Sequence, residues 1–247
     1  MVHLKREAAP VFWPIHRKEK QWTTKPNSGP HPIASCMTLL TIARDSLKLV
    51  DTAKEAKFIL GQSFVRVDGR ARKDYRFPVG LMDVVEIQKK DKVYRALPSK
   101  RGLFLQEVPK GEAGFKLCRI EGKQTLRKGN IQLNLHDGRN LMVKVKNPMK
   151  PAEDVYKVND VLKIALPDQK ILDHLKFAGG SLALIIKGRY AGRYGSITDI
   201  KTGMRRSRTG NVIYVKLKDE QGKAFSTTAD RIFIVGSKGP SISLPKR

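Results

Sequence analysis

Basic side chains follow one another closely in one part of this 247-residue sequence. Between positions 64 and 79 they are Arg66, Arg70, Arg72, Lys73 and Arg76. Guanidinium and ammonium groups arranged along a chain segment bind successive phosphates and need no particular base to do so. The chemistry that this spacing favours is binding to the backbone of a nucleic acid.

A second basic cluster lies in the glycine-containing stretch 184–197. Glycine permits positive φ and close approach of another chain, which makes this stretch a predicted turn, with Gly188, Gly192 and Gly195 in it. Arg189 and Arg193 would project from the turn, and Tyr190 between them could stack on an unpaired base. Farther along lies a predicted hairpin tip, where arginines could bind phosphates bidentately: Arg205, Arg206 and Arg208.

The N-terminal residues 1–36 combine cations with aromatic and proline residues. The basic side chains that we select there are Lys5, Arg6, Arg17 and Lys18. Five prolines leave neither a helical nor a strand period, yet Trp13 and Trp22 are unusual for a disordered linker. We expect an extended arm that orders against a partner. Each Trp could dock on the protein's own domains or stack on RNA.

The charge of the whole chain supports a polyanionic partner. Lys and Arg number 49 and Asp and Glu 23, which gives a formal net charge of +26 and a pI near 10.2. The surplus is spread over all parts of the sequence, whereas an ordinary soluble surface mixes both signs and keeps a small net charge. Nucleic acid is the expected partner, because each phosphate contacted releases counterions and adds affinity.

Several classes of site are not indicated. The two cysteines, Cys36 and Cys118, lack the spacing of a disulfide framework or a Cys-rich zinc site, and the five histidines form no local ligand pair. We find no Walker or dinucleotide-binding loop and no local catalytic triad signature, and His136-Asp137 reads as part of a turn. Without a signal peptide or an apolar run near 20 residues, we expect a soluble cytoplasmic protein with no cofactor, metal, small-molecule substrate or membrane partner.

The predicted elements divide the chain after the arm into three domains and a tail. Residues 37–93 predict two helices, over Thr38–Val50 and after a capping box at Thr52 and Glu55, with Gly61 as a left-handed C-cap. A hairpin with the turn Asp68-Gly69 and a strand over Leu81–Ile87 follow.

Residues 94–173 predict a β-rich central domain with strands near 131–135, 141–145, 156–158 and 161–164. Residues 174–236 predict a small barrel with strands at 182–186, 196–200, 212–217, 224–228 and 232–235, and residues 237–247 a basic tail.

Two of these segments resemble known RNA-binding modules. The order of helices, Val65-Arg66-Val67-Asp68-Gly69 and Gly80 through Val85 resembles the S4-type domain, with Asp68 where Asn is usual and Leu81-Met82 inserted before Asp83. The stretch 184–197 resembles the KOW motif. Together with His3 through Pro10 and Ser28-Gly29-Pro30-His31, the modules resemble the small-subunit ribosomal protein S4e family, in an archaeal-type member.

The resemblance implies a fold and a function. The fold would be multi-domain and mainly β, with an extended N-terminal arm, a small α+β S4-type module, a central β-domain and a C-terminal SH3-like barrel with the KOW motif. The function would be structural, without catalysis, on the ribosome. Expected partners are 16S-type rRNA and neighbouring small-subunit proteins. In that family the helices and hairpin face RNA, which adds Lys48, Lys54 and Lys57 to the expected contacts.

Two other functions also use these modules. An RNA-modifying enzyme can carry an S4-type module, but we see no catalytic-Asp signature and no large catalytic domain. A transcription elongation factor can carry KOW units, but the S4-type module and the N-terminal arm argue against it.

Overall fold

The structure, a computed structural model, describes residues 3–145, 147, 152–207, 210–219, 222–237 and 239–245, with the backbone alone at 204–207 and 210–211. The chain forms two compact units. Unit 1 contains residues 1–97, 101–116 and 165–169, and unit 2 contains residues 98–100, 117–164 and 170–247. The fold is mainly β with few helices, as predicted. Over the described residues, no helix is long and apolar enough to cross a membrane.

Unit 1 begins with a small hairpin and two short helical segments. Strands β1 (Leu4–Lys5) and β2 (Trp22–Thr23) pair antiparallel, and β3 (Met37–Thr38) pairs with β6 (Pro78–Val79). The first helix, α1 (Leu39–Thr41), continues as a π-helical turn over Ile42–Ser46 and stops before Lys48, which has a φ of 47°. It is therefore shorter and wider than the helix predicted to reach Val50.

Helix α2 (Ala53–Gly61) starts at the predicted capping box. The Thr52 side chain accepts from the Glu55 N–H at 3.2 Å, and the Glu55 carboxylate accepts from the Thr52 N–H at 3.4 Å. These hydrogen bonds lower the pKa of Glu55. The prediction that Gly61 is a left-handed cap is wrong. Gly61 is the last helical residue, and Ser63 takes the positive φ of 63° while its N–H donates to the Leu60 carbonyl at 3.0 Å.

A five-stranded sheet completes unit 1. Its strands are β4 (Val65–Val67), β5 (Arg70–Ala71), β7 (Val84–Ile87), β8 (Lys92–Ser99) and β9 (Gly102–Val108), in the order β5-β4-β7-β8-β9. Asp68 and Gly69 form the predicted hairpin turn with φ of 52° and 73°. The sheet of unit 1 continues past the predicted domain boundary at residue 93, because β8 pairs with β7 and buries Ala96 in the core of unit 1.

The N-terminal segment packs on that core and does not extend away from it. Ala9 and Trp13 are buried among Leu39, Leu60 and Val85, and the Trp13 indole N–H donates to the Cys36 carbonyl at 2.8 Å. A large apolar surface such as that of Trp13 gains more from burial than from hydration. This packing corrects the expected extended arm for the part around Trp13, which docks on the protein itself.

Two further five-stranded sheets lie mainly in unit 2. The strands of one are β10 (Phe115–Thr125), β11 (Ile131–Leu135), β12 (Asn140–Val143), β13 (Val161–Ala165) and β14 (Ile171–Leu175), in the order β12-β11-β10-β13-β14. The strand predicted at 156–158 does not form. Asp160 accepts from the Lys157 N–H at 3.0 Å, so this segment is a turn that leads into β13.

The second sheet of unit 2 contains all five strands predicted between 182 and 235. They are β15 (Leu182–Ile185), β16 (Tyr194–Ser207), β17 (Gly210–Lys218), β18 (Ala224–Thr228) and β19 (Ile232–Gly236), in the order β18-β17-β16-β15-β19. Strands β16 and β17 are longer than the sequence predicted, because they pair as one hairpin as far as Ser207 and Gly210. Part of the predicted tail packs, since Ile242 is buried.

Candidate nucleic-acid interface

Helix α2, the β4–β5 hairpin and the loop after it carry a group of exposed cations in unit 1. Lys54 and Lys57 are exposed on α2, and Lys48 is exposed after the π-helical turn. Along the hairpin and the loop after it the exposed side chains are Arg66, Arg70, Lys73 and Arg76. Alternation in β4 explains the position of Arg66, because Val65 and Val67 on either side of it are buried.

Aromatic rings hold several of these cations in place. The Lys57 ammonium lies 4.6 Å from the centroid of the Tyr75 ring, and the Arg76 guanidinium lies 5.3 Å from it. The Arg72 guanidinium lies 4.5 Å from the centroid of Phe77 and is half-buried. A cation on a ring face keeps its charge and loses rotamer freedom before a ligand arrives.

Two of the predicted N-terminal contacts bind the protein itself. Arg6 is 6% exposed, and its guanidinium donates to the carbonyls of His16 and Trp22 at 2.5 and 3.3 Å and to Glu19 at 3.3 Å. Arg17 donates to the carbonyls of Arg6, Glu7, Ala9 and Pro10 at 2.9–3.2 Å. We therefore reassign Arg6 and Arg17 from RNA contacts to residues that stabilise the fold. The turns of this segment leave backbone carbonyls that need hydrogen-bond donors. Lys5 and Lys18 are exposed.

The turn over 186–193 in unit 2 brings together Arg189, Tyr190 and Arg193. The two guanidinium carbons lie 5.9 and 5.6 Å from the centroid of the Tyr190 ring. Tyr190 also stacks on Phe225, with 5.4 Å between centroids and 30° between planes. One face of the tyrosine is thus covered by the protein, and stacking of an unpaired base on Tyr190 stays a prediction for the other face.

Two of the three glycines predicted in this turn have positive φ, whereas Gly195 lies in strand β16 and does not. Gly188 and Gly192 have φ of 100° and 80°. A Cβ atom at Gly192 would also lie 3.0 Å from the Pro98 carbonyl oxygen. The backbone of Arg205 and Arg206 lies in β16, close to its last pair with β17 at Ser207 and Gly210, so these residues lie near the end of a hairpin; Arg208 lies outside the described residues.

A buried charged cluster in unit 1 was not predicted. The Lys116 ammonium, fully buried, donates to Asp68 at 2.9 Å and to Asp83, which also contacts His31 Nε2 at 3.1 Å. Although burial opposes ionisation, Lys116 and His31 hold the pKa of Asp83 well below its usual range. Burial and the nearby Asp83 carboxylate raise the pKa of the Cys36 thiol to about 12.

One group of potential metal ligands occurs in unit 2. One donor atom each of Cys118, His136 and Asp137 lies within 4.8 Å of the others. Protein groups already contact them: Cys118 lies 3.5 Å from an Asp137 oxygen, Arg139 pairs with Asp137 at 3.1 Å, and His136 Nδ1 accepts from the Arg119 N–H at 3.2 Å. These contacts show that the three side chains already bind protein groups around a turn, and we assign no metal to them.

Comparison with known proteins gives consistent matches. The model of "Ribosomal family S4e" matches residues 90–171, and that of the "RS4NT (NUC023) domain" matches residues 2–34. Proteins named "Small ribosomal subunit protein eS4" are similar over nearly the whole chain. The one from Desulfurococcus amylolyticus is 46% identical over 99% of this chain and 96% of its own, and the one from Methanothermobacter thermautotrophicus is 45% identical over 98% and 96%.

A solved structure is similar as well. The crystal structure of 30S ribosomal protein S4e from Thermoplasma acidophilum aligns with a TM-score of 0.66 at 33% identity, covering 82% of this chain and 96% of that one. The mainly β fold, the basic surfaces and these matches define a structural ribosomal protein, without enzymatic activity. Within that class, the chain belongs to the S4e family.

Proposed function

We propose that this protein is a structural constituent of the small ribosomal subunit that binds and organises small-subunit, 16S-type rRNA. The observation that carries the proposal is the set of exposed cations on α2 and the β4–β5 hairpin, several of them held on aromatic rings. Phosphate binding by such cations offsets the self-repulsion of a chain with a net charge of +26. The names of the relatives support the small subunit as the place of assembly.

The contacts that we propose are the predicted cations that the fold leaves accessible. In unit 1 they are Lys5, Lys18, Lys48, Lys54, Lys57, Arg66, Arg70, Lys73 and Arg76, together with the half-buried Arg72. In unit 2, Arg189 and Arg193 are proposed as phosphate contacts supported by Tyr190, and Arg205, Arg206 and Arg208 remain proposed contacts on their sequence alone. Neighbouring small-subunit proteins complete the partners, and the ribosome places the protein in the cytoplasm.

The module assignments are part of the same proposal. Two helical segments followed by the Asp68-Gly69 hairpin support an S4-type module over 37–93. The turn with positive φ at Gly188 and Gly192, between β15 and β16, supports a KOW motif in a C-terminal SH3-like unit over 174–236. A central β-domain over 94–173 lies between them in sequence. Residues 1–36 would contribute RNA contacts as a segment that becomes further ordered on binding.

The salt dependence of RNA binding tests the proposed interface. Each phosphate contact that is lost flattens the log–log salt dependence of the binding constant by about 0.9. The variant Arg70→Ala/Lys73→Ala should therefore bind small-subunit rRNA more weakly and lower the slope by up to about 1.8. The control variant Lys92→Ala/Lys110→Ala removes the same charge from cations that pair with Glu107 and Asp91, and should change the slope less. Equal slopes for the first variant and the wild type would show that this hairpin faces solvent.

A further inference from the structure

A groove in unit 1 has the composition of a nucleotide site. It encloses about 350 Å³. It is lined by the N-terminal segment, with Lys20, Trp22 and Lys25, and by α2 and the loop between β5 and β6, with Lys57, Tyr75 and Arg76. We infer that this groove binds one unpaired nucleotide of a single-stranded RNA segment, the base on Trp22 and its phosphate between Lys57 and Arg76. The inference rests on the proposed function and specifies the form of RNA that this site takes.

Trp22 provides a fixed aromatic surface that the protein leaves partly uncovered. Its side chain is 48% exposed, which is unusual for a tryptophan. The backbone beneath it is held, since Trp22 pairs with Lys5 in the β1–β2 hairpin and its carbonyl accepts from the buried Arg6 guanidinium at 3.3 Å. The His3 ring approaches Trp22 to 5.4 Å between centroids at an angle of 51°. An indole plane held in this way is suited to stacking on a base.

Tyr75 holds two cations at the opposite wall. The Lys57 ammonium and the Arg76 guanidinium lie 4.6 and 5.3 Å from the centroid of its ring, and Arg76 Nε donates to the Tyr75 hydroxyl oxygen at 3.0 Å. Two positive groups anchored on one ring form a site for a phosphate with little conformational entropy left to lose.

The two walls are tied together by hydrogen bonds. The Asn27 N–H donates to the Arg76 carbonyl at 3.0 Å, and the Asn27 amide donates to Asp74 at 2.7 Å. These hydrogen bonds link the segment after β2 to the loop before β6. They therefore restrain the distance between Trp22 and the cations that contact Tyr75.

The charge of the lining favours RNA over a peptide. None of the described residues that line the groove is acidic. Glu19 and Asp45 pair with the lining residues Arg6 and Arg44, at 3.3 and 2.8 Å, and the lining cations Lys20, Lys57 and Arg76 make the field inside the groove positive. Cations beside an aromatic plane fit a nucleotide, which presents a π-face and a phosphate together.

Tryptophan fluorescence of the full chain tests the inference, because the chain has two tryptophans and Trp13 is buried. The probes are a single-stranded oligouridylate and a blunt RNA duplex with the same number of phosphates. We expect oligouridylate to quench the emission of Trp22, the duplex to leave it unchanged, and Trp22→Phe to remove the quenching. Trp22→Leu should weaken oligouridylate binding about tenfold. Phe58→Leu, which removes an exposed ring that does not line the groove, should change it less than twofold.

Fluorescence anisotropy with end-labelled RNA separates the two levels of the proposal. Oligouridylate that binds without quenching Trp22, or equally to wild type and Trp22→Leu, overturns the groove site and leaves the proposed function standing. Equal quenching by the duplex overturns the preference for an unpaired base. Failure to bind either RNA overturns both the site and the proposed function.

Discussion

At the scale of single residues, the buried Lys116 ammonium carries the largest energetic consequence. It donates to two carboxylates, Asp68 at the turn of the β4–β5 hairpin and Asp83 before β7, and its single positive charge balances one of their two negative charges. Asp68 also accepts from the Val84 N–H at 3.0 Å, and Asp83 accepts from the Gly80 N–H at 2.8 Å. The cluster therefore fixes two turns of unit 1 on one side chain.

Removing the Lys116 ammonium should destabilise unit 1 strongly. Lys116→Met leaves two carboxylates buried without their cation, and we expect the free energy of unfolding in denaturant to fall by about 3–5 kcal/mol. The control Lys92→Met breaks a solvent-exposed ion pair with Glu107, and should change the free energy of unfolding little. Similar losses for the two variants would contradict the assigned burial of Lys116.

The depressed pKa of Asp83 makes stability fall in acid. Below about pH 4 the unfolded chain binds a proton at this carboxyl that the folded chain does not, so this one group lowers stability by about 1.4 kcal/mol per pH unit as the pH falls. Its contribution is fully present at neutral pH. Denaturant titrations between pH 5 and 3 should give a shallower pH slope for Asp83→Asn than for wild type. Asp91→Asn, at an exposed position, is the control. An equal pH dependence of the free energy of unfolding for wild type and Asp83→Asn would show that folding does not lower the pKa of this carboxyl.

The sequence predicts one half of this cluster and misses the other. Asp68-Gly69 between two strands is a local turn signal, so the position of Asp68 follows from its neighbours. Lys116 lies 48 residues farther along, and its direction depends on how β10 packs. The local sequence pattern does not show where the Lys116 side chain points. Asp68 stands where the S4-type pattern has Asn, and its negative charge is compatible with a nearby cation.

At the scale of elements, the N-terminal segment shows how tertiary packing overrides local pattern. Its prolines remove every period from which a fold could be predicted, and the expectation was an extended arm. The surface that buries Trp13 is supplied by residues such as Leu39 and Leu60, which lie on other elements. Arg6 and Arg17 then bind backbone carbonyls of the same segment. By contrast, α2 and its capping box follow from adjacent residues and were predicted correctly.

The two tryptophans provide a direct test of this packing in the free protein. Trp13→Ala should lower the free energy of unfolding by about 3–5 kcal/mol, because it empties a buried site. Trp22→Ala is the matched control and should change stability little, since that ring is half exposed. Near-zero losses for both would show that the segment is unfolded before RNA binds.

At the scale of the whole molecule, a net charge of +26 has to be reconciled with a folded chain. Part of the positive charge is paired within the fold, as at Lys116 and Arg6. Many other described cations lie on exposed strands, turns and helix faces. Charge and family resemblance were sufficient to predict a member of the ribosomal protein S4e family from sequence. Which cations face solvent and which bind the protein itself required the fold, because both kinds have the same residue types and spacing.

Association with the ribosome is the central claim, and sedimentation tests it most directly. A native lysate is separated on a sucrose gradient, the small-subunit fractions are washed with moderate salt, and this chain is detected in each fraction. The account predicts that the chain sediments with the small subunit and stays there after the wash. A chain that remains at the top of the gradient, or sediments with RNA polymerase, would contradict it.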